Sequence, residues 1–347
     1  MIRVLVSVYN ISGYLMASLE ELRKDAEIVI LQRDCSLTPH KGDEEWGKYR
    51  WLNRERYSSL DSVLDELGDW KPDIFICGGW DDFLTRALAR HYHRRGVKTV
   101  LCCDTPWENR FKQWINCVVA RFVFVKNFDY VWVAGPSQHG YMRRIGFRDG
   151  QIRNGYYAAD TRKFSALYRS QRSSLPHIFI YVGRYIPVKN IERMQDAFLL
   201  ALSERPKTDW KLRMIGDGEL WETRRQHAKI EHLGYKKPQE IQESLQDVGC
   251  FVLPSVREPW GVVVHEFALM GLPMICSKKV EACKAFLHEN ENGFLFDPFD
   301  VNQIKEAFLK IMDMTDSELE TMGEKSHELG MIWTNQDWAK CVLGMEK

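Results

Sequence analysis

Arg257-Glu258-Pro259-Trp260-Gly261-Val262-Val263-Val264-His265-Glu266 is the stretch from which the rest of the chain is best read. Two carboxylates, Glu258 and Glu266, stand eight positions apart, with a proline, a glycine and an apolar run between them. Pro259 disfavours helical geometry at the residue before it, so Glu258 is expected in an extended segment. Gly261 permits a tight turn. Residues 262–270 then read as a helix that stops at Gly271-Leu272-Pro273. Glu258 therefore falls in the loop ahead of the helix and Glu266 about one turn inside it. Between them the helix N-terminus offers unpaired amides and the positive end of its dipole, an anion site with a carboxylate on either side. Carboxylates also accept hydrogens from sugar hydroxyls. A nucleoside diphosphate sugar suits such a site, with one glutamate for the ribose and one for the hexose. These ten residues alone are more economically a surface loop entering an ordinary helix; the other segments change that.

The chain has 347 residues, enough for two domains that each bury a core. Its composition, 45% apolar and 28% charged, is that of a soluble globular protein. No apolar run approaches a membrane span, and no signal peptide is expected. The nine cysteines include no CxxC pair, so neither a disulfide framework nor a zinc site is expected, and a reducing cytoplasm fits them. Net charge is zero, with a slight cationic excess in the first half and a matching anionic excess in the second.

Along the chain, strand and helix patterns alternate. Residues 1–8 read as a buried strand, 14–24 as a helix and 27–31 as a strand, the opening of a doubly wound sheet. Residues 32–56 are polar and aperiodic and read as a loop excursion. The alternation resumes with a helix at 60–67, a strand at 73–77 running into Gly78-Gly79-Trp80, a helix at 81–95 and a strand at 97–103. Helical spacing follows over 111–125, then a strand at 130–133 and a short helix capped by Ser137. Residues 161–176 are polar and read as a linker. The pattern then restarts with strands at 177–182, 211–215 and 250–253 and helices at 191–202, 220–228 and 262–270. Two such sets imply two Rossmann-like domains.

Three further segments carry candidate chemistry. The strand at 177–182 ends in Gly183-Arg184-Tyr185-Ile186-Pro187-Val188-Lys189, where two cations flank one strand-to-helix turn and could clamp a diphosphate. The glycines of a P-loop are missing, and two solvated cations are the plainer alternative. Gly216-Asp217-Gly218 is a turn at a carboxyl strand end, either a ligand-side turn or only a turn. Asp104 ends the strand at 97–103, either as a polar group at the ligand side or as a cap for the next helix through Thr105-Pro106. The helix carrying His91, His93, Arg94 and Arg95 reads as a solvated face. The aromatic and basic run 107–126 reads first as packing on the sheet, with contact at a membrane surface as the alternative. No RRM, OB or KH signature accompanies the basic residues, which argues against nucleic acid.

In order and spacing, YVGRYIPVKNIERMQDAF, LRMIGDGEL, HLGYKKPQEI, FVLPSVREPWGVVVHEFALMGLPMICS and ENGFLFDP resemble the retaining GT-B glycosyltransferases of family 4, glycosyl transferases group 1. The resemblance covers about 120 residues of the second half; in the first half it is looser. It implies an α/β, GT-B fold of two Rossmann-like domains facing across a cleft. An acceptor-side domain would span residues 1–165, with 333–347 crossing back onto it, and a nucleotide-sugar domain 176–332. By resemblance Arg184 and Lys189 hold the donor diphosphate, Glu258 faces the donor sugar and Glu266 the ribose. Backbone amides from Trp260 through Gly261 to Val262 meet the phosphates. Gly183 and Gly216 lie along the donor, Gly234 and Tyr235 cradle the base, and Gly13 approaches the donor from the first domain. Glu258, Arg184, Lys189 and Asp104 are the expected catalytic residues. No metal and no cofactor is expected, the nucleoside diphosphate sugar (UDP- or GDP-linked) being itself the donor. The acceptor would be a glycan or a lipid-linked sugar, in polysaccharide or glycoconjugate synthesis. A cytoplasmic hexosyltransferase, peripheral at the inner face of a membrane if 107–126 touches lipid, is the resulting expectation. A nucleotide-sugar epimerase or hydrolase of the same fold, and a non-catalytic nucleotide-sugar-binding protein, are the rivals. Two departures stand out: Glu281-Ala282-Cys283-Lys284-Ala285 replaces a GGxxE stretch common in the family, and Cys103-Asp104 stands where many members carry a histidine.

Overall fold

The structure, a computed structural model, describes residues 1–33, 48–79, 82–168 and 175–346. Most of the polar excursion 32–56, Trp80 of the glycine turn and the polar tract 169–174 lie outside the described residues. The chain divides into two compact units, Met1–Asp160 with Trp333–Lys347, and Thr161–Ile332.

Among the described residues, the first unit is a seven-stranded parallel sheet. Its strands are β1 (Ile2–Val8), β2 (Ala26–Gln32), β3 (Arg50–Asn53), β4 (Ile74–Gly78), β5 (Lys98–Cys103), β6 (Tyr130–Val133) and β7 (Ile152–Asn154), in the order β3-β2-β1-β4-β5-β6-β7. Helices α1 (Gly13–Leu22), α2 (Leu60–Leu67), α3 (Phe83–His93), α4 (Phe111–Val123) and α5 (Pro136–Ile145) supply the crossovers. Because helices cover both faces, β1 is apolar on both: Leu5 belongs to one core and Val4, Val6 and Val8 to the other. The strand order reverses direction between β1 and β4, the topological switch point at which such sheets bind ligands.

The second unit repeats the plan with six parallel strands: β8 (Ile178–Val182), β9 (Lys211–Ile215), β10 (Ile230–His232), β11 (Cys250–Leu253), β12 (Met274–Ser277) and β13 (Gly293–Phe296). Their order is β10-β9-β8-β11-β12-β13, so the switch point lies between β8 and β11. Its helices are α6 (Thr161–Ser165), α7 (Ile191–Glu204), α8 (Pro238–Ser244), α9 (Val262–Leu269), α10 (Cys283–Phe286), α11 (Val301–Met312) and α12 (Asp316–Gly330). A last helix, α13 (Asn335–Gly344), belongs to the first unit. There the Trp338 indole packs at a tilt against Trp132, ring centroids 4.7 Å apart, and donates to the carbonyl of Tyr156 at 2.8 Å, while Asn335 Nδ2 donates to Ser18 Oγ at 3.0 Å.

Several expectations are corrected. Residues 220–228 form turns rather than a helix, because their amides find partners elsewhere. Leu220 donates to the carbonyl of Tyr185 at 2.9 Å and Arg225 to Gln195 Oε1 at 2.6 Å. Strands β3 and β10, too short to carry a period, were not legible. Residues Thr161–Ser165, read as linker at the edge of the first domain, form α6 in the second unit. Helix α5 starts at Pro136, which has no amide to leave unpaired, so Ser137 lies inside the first turn rather than capping it. Helix α4 buries only Gln113 and Ala120 in the core, and most of its apolar side chains face outward, against the reading that the whole stripe packs on the sheet.

Candidate functional site

In the second unit, the residues singled out in the sequence gather beyond the carboxyl ends of four adjacent strands. Gly234 and Tyr235 follow β10, Gly216 follows β9, Gly183, Arg184 and Lys189 follow β8, and Glu258 through Val262 follow β11. Adjacent loops hold one another: Gly183 N–H donates to the carbonyl of Ile215 at 3.0 Å, and Gly216 N–H to that of Gly234 at 2.9 Å. A side chain at Gly216 has no room. Its φ is +144°, and a Cβ there would lie 1.8 Å from the Gly183 carbonyl oxygen.

Across the switch point the β8 and β11 loops are joined three ways. Val256 N–H donates to the carbonyl of Val188 at 2.9 Å, and Asn190 Nδ2 donates to that of Pro254 at 3.1 Å. The third link is an ion pair from Lys189 Nζ to Glu258 Oε2, with side chains only 17% and 15% exposed. Ser255 Oγ donates to the same carboxylate oxygen at 3.3 Å. Asn190 takes the left-handed conformation at φ +57° and also donates to the carbonyl of Pro298 at 2.8 Å, so it fixes the turn on which Lys189 stands. Arg184 is exposed, and its carbonyl accepts from the Tyr181 hydroxyl at 3.0 Å.

Glu258 is extended, as Pro259 requires: its N–H donates to the carbonyl of Lys279 at 3.1 Å, and its carbonyl accepts from Glu281 at 3.2 Å. Gly261 caps α9 in the left-handed region at φ +95°, and a Cβ there would come within 2.9 Å of Glu258 Cγ. The first-turn amides of α9, from Val262 on, thus open beside the Lys189–Glu258 pair. Trp260 presents only its backbone, since its indole is buried against Phe286. Glu266 is half-buried, one turn along α9. His265 beside it is a core residue: burial holds its pKa down at about 4, and its Nε2–H donates to the Gly330 carbonyl at 2.8 Å. The Glu281-Ala282-Cys283 segment, where the chain departs from GGxxE, donates through Ala282 N–H to the Trp260 carbonyl at 2.9 Å.

Tyr235, past the end of β10, is exposed. Trp221, which a Cβ at Gly234 would meet at 3.6 Å, forms an aromatic group with Tyr185 and His232, with the Tyr185 hydroxyl 3.0 Å from His232 Nδ1 and Arg224 over the Trp221 ring at 3.9 Å. Trp221 and Arg224 were missed, because their segment was read as a helix.

Gly13 and Asp104 lie in the first unit, also at the carboxyl edge of the sheet. Gly13 opens α1 behind the cap Ser12. Asp104 borders a cavity of about 400 Å³ at the β1/β4 switch point, together with Asn10, Gly79, Tyr156, Tyr157 and Trp338. The Tyr157 hydroxyl donates to Asp104 Oδ2 at 3.0 Å, and Gln138 Nε2 to the Asp104 carbonyl at 3.1 Å. Asp104 does not cap the next helix, which begins at Phe111 with Arg110 at its cap. Burial, with the Asp104 carboxylate nearby, pushes the Tyr157 phenol well above its ordinary pKa, so this hydroxyl keeps its proton. Tyr157 was missed because it lies 53 residues from Asp104.

A family model described as "Glycosyl transferases group 1" matches residues 169–328. An uncharacterized glycosyltransferase of Methanocaldococcus jannaschii is 26% identical over 174 residues, covering 48% of this chain and 46% of the relative. The chain thus matches about half the length of that relative. Among solved structures, Anabaena HepE in complex with UDP superposes with a TM-score of 0.75 at 13% identity, over 99% of each chain. The lipopolysaccharide outer core galactosyltransferase WaaB, in its apo form, superposes with a TM-score of 0.68 at 14% identity, over 99% of this chain and 98% of its own. The chain thus has the GT-B fold, and its residues 169–328 are similar to the glycosyl transferases group 1 family.

Proposed function

We propose that the protein is a retaining glycosyltransferase of family 4, moving a hexose from a nucleoside diphosphate sugar to a glycan or lipid-linked acceptor. The observation that carries the proposal is the Lys189–Glu258 pair at the second switch point, built into tied loops beside the α9 N-terminus. A donor diphosphate would take the amides of that N-terminus together with Arg184 and Lys189. Glu258 would accept from hydroxyls of the donor sugar, and Glu266 from the ribose. Gly183, Gly216, Gly234 and Tyr235 would line the nucleotide. No metal or cofactor enters the scheme.

The acceptor hydroxyl would attack the anomeric carbon on the face from which the diphosphate departs. The new C–O bond forms as the bond to the phosphate oxygen breaks, and the hydroxyl proton passes to that oxygen. Arg184 and Lys189 would stabilise the charge arriving on the leaving group. Asp104, positioned by Tyr157, would accept from the acceptor. The UDP held by HepE makes uridine the first base to test, and the names of WaaB and an O-antigen chain mannosyltransferase of Escherichia coli support a glycan acceptor.

The test is transfer from UDP- and GDP-hexoses to an oligosaccharide or lipid-linked acceptor extract, with the anomeric coupling of the product read by NMR. The expected product keeps the donor's configuration. An inverted product, or donor epimerised or hydrolysed with no acceptor glycosylated, would refute the reading.

A further inference from the structure

Helix α4 turns an apolar face to the outside. At about 100° per residue, Phe111, Ile115, Val118, Val119 and Phe122 share one side, opposite the buried Gln113 and Ala120. Phe111 is 81% exposed, Phe122 69% and Val118 64%. The same spacing puts Lys112 on one edge of that side and Arg121 on the other, and the helix has no Asp or Glu. Trp114, half-exposed on the Arg121 side, has its indole N–H held by Asn109 Oδ1 at 3.0 Å. Just past the helix, Lys126 lines a surface groove of about 770 Å³ with Lys98 and Arg148. Among the described residues the one carboxylate in that groove, Asp129, is already held by Thr99 at 2.8 Å and His93 at 3.2 Å.

We propose that this face is a docking surface for a membrane carrying anionic lipid, with α4 lying in the plane of the interface. Singly exposed apolar residues are ordinary, but five on one side of one helix are not. An apolar face edged by cations is the pattern that inserts between headgroups and acyl chains, the cations remaining at phosphate level. Charge selects this occupant over a second copy of the chain. A two-fold pair would bring the same edge cations together with no carboxylate on either helix to answer them. Length excludes spanning: a 13-residue helix reaches about 20 Å, short of a hydrocarbon core of about 30 Å. Among the described residues no helix is long and apolar enough to cross a membrane.

The test is flotation of the full-length protein with vesicles of phosphatidylcholine alone or mixed with phosphatidylglycerol. Binding to the mixed vesicles is expected, falling as salt rises, with little to phosphatidylcholine alone. Replacing both Val118→Ser and Phe122→Ser should reduce binding about tenfold or more with an unchanged melting temperature, since both side chains are exposed. Phe111→Ser with Ile115→Ser should do the same. Lys112→Glu with Lys126→Glu should abolish the preference for anionic vesicles, each cation being worth about fivefold. Absent or lipid-independent binding, or serine variants that float like the wild type, would overturn the proposal. So would a concentration-dependent dimer that the serine variants dissolve, which would assign the face to a second copy.

Discussion

Lys189→Ala is expected to lower sugar transfer by about two to three orders of magnitude, the cost of removing one preorganised group that stabilises charge in a transition state. It should also weaken nucleoside diphosphate binding about 10- to 150-fold, from about 1.5–3 kcal/mol for a charge-assisted contact. The reason lies in the pairing. Lys189 stands on a turn fixed by Asn190 and is answered in the free protein by Glu258, with both side chains largely shielded from water. A donor phosphate arriving at the α9 N-terminus would compete with Glu258 for the ammonium and release the carboxylate to face sugar hydroxyls. Glu258→Gln should therefore leave the affinity for bare UDP or GDP within about threefold while lowering transfer, because it removes the sugar's acceptor and not the phosphate's cation. Calorimetry and initial rates on both variants check this. Equal loss of nucleotide affinity in the two would show that they act only as a structural pair.

Asp104→Ala is expected to reduce transfer about 10- to 150-fold, the worth of a charge-assisted hydrogen bond to an acceptor hydroxyl. Donor affinity and the slow hydrolysis of donor by water should stay within about twofold. Asp104 lies in the first unit, where Tyr157 and Gln138 orient it beside a cavity lined by aromatic and amide groups. The β8 and β11 loops that hold Lys189 and Glu258 belong to the other unit. Tyr157→Phe should reproduce part of the loss, since the phenol only positions the carboxylate. Transfer and hydrolysis measured with one donor separate the outcomes. Transfer at the normal rate in Asp104→Ala would remove it from the acceptor side, and equal loss of both activities would place its effect on the fold.

The strands that open each sheet were legible because both faces of β1 and β8 are covered, so each reads as an apolar run ended by turn residues. Pro259 and Gly261 gave the extended Glu258 and the start of α9 for reasons of backbone geometry alone. The pairing of Lys189 with Glu258 was not legible, since 69 residues separate them and neither neighbourhood names the other. The sequence reading gave them separate duties, phosphate for one and sugar for the other, where the free protein joins them. Residues 220–228 carry helix-forming side chains, yet tertiary partners for Leu220 and Arg225 override that local preference. Helix α4 failed differently. A broad apolar stripe looks the same in sequence whether a sheet covers it or nothing does, and only the exposure of Phe111, Val118 and Phe122 separates the two.

The most direct test of the central claim, that the β8 and β11 loops of the second unit form a nucleoside diphosphate site, is calorimetric titration of the wild-type protein and Arg184→Ala with UDP and GDP. One nucleotide per chain is expected for the wild type, weakened about tenfold or more in Arg184→Ala with an unchanged melting temperature, because Arg184 is exposed. No binding of either nucleotide to the wild type, or equal affinity in the two proteins, would contradict the account.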